Sequence, residues 1–236
     1  MSYIVMKYNI KNYKNKIIRI ISQKININYK EPYKLEDATR SIGSGFFIKD
    51  NYIITCSHCV ENSKDIYIEV PDDGKRKFKV ELIGLCPHLD IAVLKSNEYK
   101  SKTYFTLDNS DKIRPGNEVV AIGFPLGQDT IKITRGIISG RQNGKLQTDT
   151  PINPGNSGGP LIYKNKVIGI VSSYILKSHN VGYAIPINNY NIIKKELYDK
   201  KQMLILRTHM NTIINYNNTD KNILALYGAK NGIYIY

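Results

Sequence analysis

Residues 150–163 read "TPINPGNSGGPLIY" and set a single hydroxyl, that of Ser157, among Pro154, Gly155, Gly158, Gly159 and Pro160. Proline fixes φ and glycine reaches backbone angles closed to other residues, so this frame specifies a definite chain path. A Gly-x-Ser-x-Gly stretch also occurs on the strand-to-helix elbow of α/β-hydrolases, which needs a helix directly after the serine and places its acid and histidine later in the chain. Gly158, Gly159 and Pro160 would cost such a helix about 5 kcal/mol in intrinsic propensity. Downstream, "KVIGIV" at 166–171 reads as a strand. The serine is therefore expected on a turn between strands, and the fold class is all-β.

Working outward from the turn, short segments rich in Ile, Val, Tyr and Thr recur between turn formers. They are "SGFFI" (44–48), "YIIT" (52–55), "IYIEV" (66–70), "FKVELIGL" (78–85), "IAVLK" (91–95), "EVVAIGF" (118–124), "IKITRGIISG" (131–140), "KVIGIVSSYI" (166–175) and "VGYAIPI" (181–187). Such spacing is that of a sandwich or barrel. The polar stretch "LDNSDKIRPGNE", 107–118, divides the strands into two β units, and "KIIRIIS", 16–22, adds one strand upstream. Helical periodicity is confined to 188–201, "NNYNIIKKELYDKK". The expected organisation is an N-terminal segment 1–36, a β domain 37–190 divided at about 107–118, a linker helix 191–202 and a tail 203–236.

Composition narrows the class. A chain of 236 residues with 42% hydrophobic residues can bury a substantial core. The opening stretch interleaves Lys and Asn with apolar residues instead of forming a signal-peptide run, and three cysteines make no disulfide framework, so an intracellular, soluble protein is expected. The net charge of +14 would favour anionic partners, but the lysines are scattered and no nucleic-acid motif is present. Nucleic acid is therefore not the expected partner.

A serine becomes a nucleophile only beside a base, and the oxyanion it forms needs preorganised N–H donors. His58 follows the strand "YIIT", and Asp90 opens the strand "DIAVLK", so both stand at strand ends in the first β unit. The chain order His58, Asp90, Ser157 is one of the convergent orders of the Ser-His-Asp triad. His88, His179 and His209 lie in loops or polar stretches. Cys56, His58, Cys59, Cys86 and His88 could alternatively be forced into a zinc-like set, in which case His58 could not be the base. Buried free cysteines packed beside the histidine are the preferred account, with no metal and no cofactor.

In order along the chain, "GSGFFI", "YIITCSHCV", "DIAVLK", "VVAIGFPLG", "RGIISG", "LQTDTPINPGNSGGPL", "KVIGIV" and "VGYAIPI" resemble the successive signatures of the HtrA/Deg branch of trypsin-like serine proteases over about residues 42–190. "SHCVEN" and "FPLGQDTIKIT" look like the plant-type Deg members. The resemblance implies a chymotrypsin-like double β-barrel with the site between barrels. It implies His58 as base, Asp90 as its orienter, Ser157 as nucleophile, and the Gly155 and Ser157 amides as the oxyanion hole, with Asn156 between them. Pro151 stands where trypsin-like enzymes specific for Lys or Arg carry an aspartate, and Ile152 follows it, with Ser172 and Ser173 completing the expected substrate pocket. Cleavage of polypeptides after small or medium aliphatic residues is the implied activity. A catalytically silent peptide-binding relative, with its site disordered by loops 149–156 and 173–180, is the alternative. The family also implies a PDZ domain, of which 203–236 resembles only the opening, and a homotrimer built through N-terminal aromatics, here Tyr3, Tyr8, Tyr13 and Tyr29.

Overall fold

The computed structural model describes residues 12–24, 39–174 and 181–200. Six strands, β1 (Ile17–Lys24), β2 (Thr39–Phe47), β3 (Tyr52–Thr55), β4 (Ser63–Glu69), β5 (Lys77–Cys86) and β6 (Ile91–Ser96), close a first barrel in the order β1-β2-β3-β6-β5-β4. A second six, β7 (Glu118–Gly123), β8 (Lys132–Gln142), β9 (Lys145–Thr148), β10 (Pro160–Tyr163), β11 (Lys166–Tyr174) and β12 (Gly182–Pro186), close the other as β10-β11-β12-β9-β8-β7. A one-turn helix α1 (Ser57–Val60) follows β3, and α2 (Ile187–Lys200) follows β12. This is the all-β double barrel with a C-terminal helix that the residue patterns and the resemblance lead one to expect.

Neighbouring strands within each barrel run antiparallel. Closure pairs every strand on both sides and leaves neither sheet with a free edge. The chain turns tightly at Asn143–Gly144 and Lys164–Asn165, where all four residues have positive φ (49° and 73°, 46° and 64°), as two-residue hairpins of the primed type require. β1 lies within the stretch expected as an N-terminal segment, so the first barrel begins upstream of residue 37. Ile17, Ile18, Ile20 and Ile21 of that strand are all buried. β9 and β10 are strands the residue patterns do not announce: "KLQT" carries a single apolar residue, and "PLIY" opens on the proline of the Ser157 stretch.

One buried cluster runs through the first barrel and into Val120, Ile122, Phe124, Ile162 and Ile170 of the second, so the two barrels share a core. α2 buries Ile187, Tyr190, Ile193 and Leu197 along one stripe and packs against β5 of the first barrel and β11 of the second. Each aliphatic side chain of that stripe contributes roughly 1.5–3 kcal/mol on burial, which makes the helix a strap across the barrel junction. Gly84 leaves room for it, since a Cβ there would stand 2.6 Å from the Leu197 carbonyl oxygen. Tyr13 is buried in this chain, stacks on Phe105 and donates its hydroxyl to Asn165 Oδ1 at 3.0 Å, so it is engaged internally. Tyr3, Tyr8, Tyr29 and the tail 203–236 lie outside the described residues.

Candidate active site

β3 ends at Thr55, and the chain enters α1 with His58 in its single turn. Four residues cannot hold a helix by themselves. β1 supplies the missing support: Lys24 Nζ donates to the His58 carbonyl at 2.6 Å and Ser22 Oγ to the Cys59 carbonyl at 2.7 Å. Asp90 sits at φ 55°, a left-handed position that Asp tolerates better than most residues, at the entry to β6. That turn swings its carboxylate under the imidazole. His58 Nδ1 lies 2.9 Å from both Asp90 oxygens, and the His58 backbone N–H donates to Oδ1 at 3.0 Å. Ser172 Oγ donates to Asp90 Oδ2 at 2.7 Å.

These bonds shape the electrostatics of the pair. Burial works against the imidazolium, but the Asp90 bond, aided by Cys59, prevails and raises His58 from 6.5 to about 10. Burial likewise penalises the Asp90 carboxylate, yet its bonds to His58 and Ser172 hold it below the usual carboxylate range. With Nδ1–H facing the carboxylate, Nε2 is the position that gains and loses the second proton, and it accepts one from the cleft only in molecules whose imidazolium has lost it.

Ser157 comes from the second barrel. Its turn is locked by bonds from both sides: Ser44 N–H donates to the Ser157 carbonyl at 2.8 Å, Gly158 N–H to Val171 O at 2.7 Å and Val171 N–H to Gly159 O at 2.8 Å. Gly158, at φ 86°, has no room for a side chain, because a Cβ would run into the Ser44 carbonyl oxygen and Thr55 Oγ1. Ser44 Oγ also donates to the Gly155 carbonyl at 2.6 Å and accepts from Phe124 N–H at 3.0 Å. The Gly155 and Ser157 amides have no hydrogen-bond acceptor among the described residues.

His58, Asp90, Ser157 and Ser172 line one open cleft of about 650 Å³, together with Glu61, His88, Lys145 and Pro154. In this structure the Ser157 hydroxyl donates to the Ser172 carbonyl at 2.9 Å and not to the imidazole. Hydroxyl, imidazole and carboxylate in one cleft, beside amides without acceptors, can pass a proton and hold a developing oxyanion. Of the other expected site residues, Ile152 is buried, and a Cβ at Gly182 would meet its Cδ1 at 2.5 Å. Ser172 reaches the cleft but turns its hydroxyl to Asp90. Ser173 pairs with Tyr183 in the β11–β12 ladder, and its side chain lies outside the described set.

Among the described residues, the ligand atoms of Cys56, His58 and Asp90 lie within 4.8 Å of one another. The Cys56 thiol is already donated to Val171 O at 3.2 Å, and burial first, then Asp90, raises its pKa, which opposes the thiolate a metal would need. Cys59 Sγ instead contacts the Ser157 carbonyl at 3.6 Å, while Cys86 is buried at the end of β5. The supports that sequence reasoning missed are Ser44 and the Asp90 contact of Ser172. "GSG" flags Ser44 only as turn-like, and nothing in "VSSY" distinguishes Ser172 from its neighbour.

Two closed six-stranded barrels flanking a His, Asp and Ser cleft define the trypsin-like peptidase class. The chain belongs to that family: the trypsin-like peptidase domain matches residues 43–170. It is 37% identical over 190 residues to the serine protease Do-like HtrA of Bacillus subtilis, covering 71% of this chain and 42% of that protein. It is 41% identical over 162 residues to a probable periplasmic serine endoprotease DegP-like of Halomonas elongata (63% and 33%). With the magnetosome formation protease MamE of Paramagnetospirillum magneticum the identity is 34% over 176 residues (66% and 24%). The solved HtrA-type protease AlgW with tripeptide superposes with a TM-score of 0.68 at 30% identity, covering 80% of this chain and 62% of that one. The chain thus spans between 24% and 42% of the length of these three curated relatives. Among the described residues no helix is long and apolar enough to cross a membrane.

Proposed function

We propose that this chain is a serine endopeptidase of the HtrA/Deg type, acting on polypeptides through an acyl-enzyme. The observation that carries the reading is the His58–Asp90 pair in one cleft with Ser157, whose turn also presents two amides without acceptors. Ser157 Oγ turns from the Ser172 carbonyl toward His58 Nε2, gives up its proton there and attacks the substrate carbonyl carbon. Asp90 stabilises the imidazolium, and the Gly155 and Ser157 amides hold the oxyanion. The intermediate collapses as His58 returns the proton to the leaving amine, and water then repeats the sequence to free the acid. Pro151 in place of an acid, and Ile152 packed over Gly182, favour small or medium aliphatic residues before the cut, and substrates without stable structure fit an open cleft.

Labelling with a fluorophosphonate probe tests this: wild type takes one label, Ser157→Ala takes none, and a peptide series favours Val over Arg before the cut. One observation supports a second reading, a silent peptide-holding relative, because the resting hydroxyl is bonded to Ser172 O and not to His58. Peptide binding without labelling of the wild type would select it. Three free, buried cysteines suit a reducing, intracellular compartment, which fractionation of tagged chain tests. A homotrimer built through the N-terminal residues outside β1, with Tyr3, Tyr8 and Tyr29 as its aromatics, and a PDZ-like opening in 203–236 complete the reading, checked by light scattering of the full chain and by peptide binding to its tail.

A further inference from the structure

Arg19 stands in the middle of β1, between isoleucines, and is only 7% exposed. A buried guanidinium is costly unless its donors are used. Here Nη1 donates to Glu69 Oε2 and to Asp129 Oδ1, each at 2.9 Å, and Nη2 donates to the Gly127 carbonyl at 2.7 Å. Glu69 is Arg19's register partner on β4, in its own barrel. Asp129 and Gly127 belong to the loop after β7, in the other barrel. Nη1 thus bridges Glu69 of its own barrel and Asp129 of the other, Nη2 adds a second bond to the loop, and Nε is buried without a partner among the described residues.

Within the loop Gln128 N–H donates to the Pro125 carbonyl at 3.1 Å, and Lys75 Nζ makes an exposed ion pair with Asp129 Oδ2 at 3.4 Å, so Arg19 is the buried one of Asp129's two cationic partners. Leu126 sits at φ 56°, an uncommon conformation for a branched residue, and its side chain is 67% exposed, so apolar burial does not keep it there. Its backbone N–H donates to the Pro154 carbonyl at 2.6 Å. In a planar trans peptide the carbonyl and the N–H point in opposite directions. Pinning Pro154 O onto the loop therefore aims the Gly155 N–H the other way. The loop also lies flush against Gly155, where a Cβ would run into the Phe124 carbonyl oxygen.

We propose that Arg19 is a positioning residue for the oxyanion-stabilising amide of Gly155, acting through the 125–129 loop. The inference rests on the endopeptidase reading above. With Arg19 holding Gly127, Leu126 stays in its left-handed conformation and keeps its N–H on Pro154. Without it, Leu126 relaxes to negative φ, Pro154 O loses its donor and the Pro154–Gly155 peptide is free to turn.

The test compares Arg19→Met with Arg19→Met/Glu69→Gln in the full chain. The single variant strands the Glu69 carboxylate and lowers Tm; the double variant removes that charge and recovers Tm without restoring the grip on the loop. Both are expected to lose about tenfold or more in kcat on a Val peptide, with KM within about twofold, a fraction of what deleting an oxyanion donor outright costs. Fluorophosphonate labelling of Ser157 slows in step, and the pH limb of kcat/KM stays in place because His58 and Asp90 are untouched. Arg19→Lys, able to reach one acceptor, recovers part of the rate. A double variant with wild-type Tm and wild-type kcat overturns the proposal, as does a rate loss that merely follows the unfolded fraction. Failure of the underlying reading looks different: the wild type itself takes no label and cuts no peptide, which removes this inference with it.

Discussion

The first barrel offers the cleft two titratable side chains at strand ends, whereas the second offers a hydroxyl and two amides on a glycine-rich turn. His58 and Asp90 are held by side-chain bonds, and a substitution there changes charge or tautomer while leaving the chain path alone. Ser157 is held by backbone bonds and by the absence of side chains at 155 and 158. Damage to the first barrel's share should therefore appear as lost chemistry in a folded protein, and damage to the second's as lost geometry.

Asp90→Asn tests that contrast most directly. An amide at this position can face His58 with the wrong tautomer, so kcat should fall by about 10⁴ while the circular dichroism spectrum is unchanged, measured on a Val peptide. An equal loss accompanied by unfolding would erase the distinction between the barrels. Gly158→Ala is the counterpart. It drives a methyl group into the Ser44 carbonyl at φ 86°, and a loss of roughly 3 kcal/mol or more in urea denaturation is expected together with the loss of labelling. A stable Gly158→Ala variant would show that the turn has slack.

The smallest effect concerns pH. His58 is raised on folding from 6.5 to about 10, so its contribution to stability is complete below pH 6.5 and is lost as pH climbs through 10. Asp90 is lowered from 3.8, so its contribution is present above that value and is lost as acid passes the lower, folded one. The Tm gap between wild type and His58→Ala should be widest between about pH 4 and 6.5 and close toward pH 10. A gap that stays level across that range would show that the pair is not linked to folding.

Much of this was legible in the residues, and the remainder has physical reasons for hiding. "YIIT" is β3 to the residue, since turn formers bound it and its apolar run is local, and α2 follows its periodicity closely. His58, Asp90 and Ser157 stand out because each sits against a strand end or a rigid turn. Closure of β1 onto β4 is invisible, because pairing partners about fifty residues apart leave no local pattern. Ser44, Ser172 and Arg19 escape for the same reason: each acts on a group from a distant part of the chain. Arg19 in particular reads only as a gap in an isoleucine run.

The bond from the Ser44 amide to the Ser157 carbonyl joins β2 of one barrel to the glycine-rich turn of the other. Opening that turn breaks a bond between the two halves of the molecule as well as those to Val171 within its own barrel. The amide hydrogens of Ser44 and Gly158 should then exchange with deuterium only through global opening, and heat inactivation should coincide with cooperative melting. If those hydrogens do exchange only globally, tuning of the proposed peptidase falls to the exposed loops around the turn, 125–129 among them, and not to partial unfolding of the turn itself.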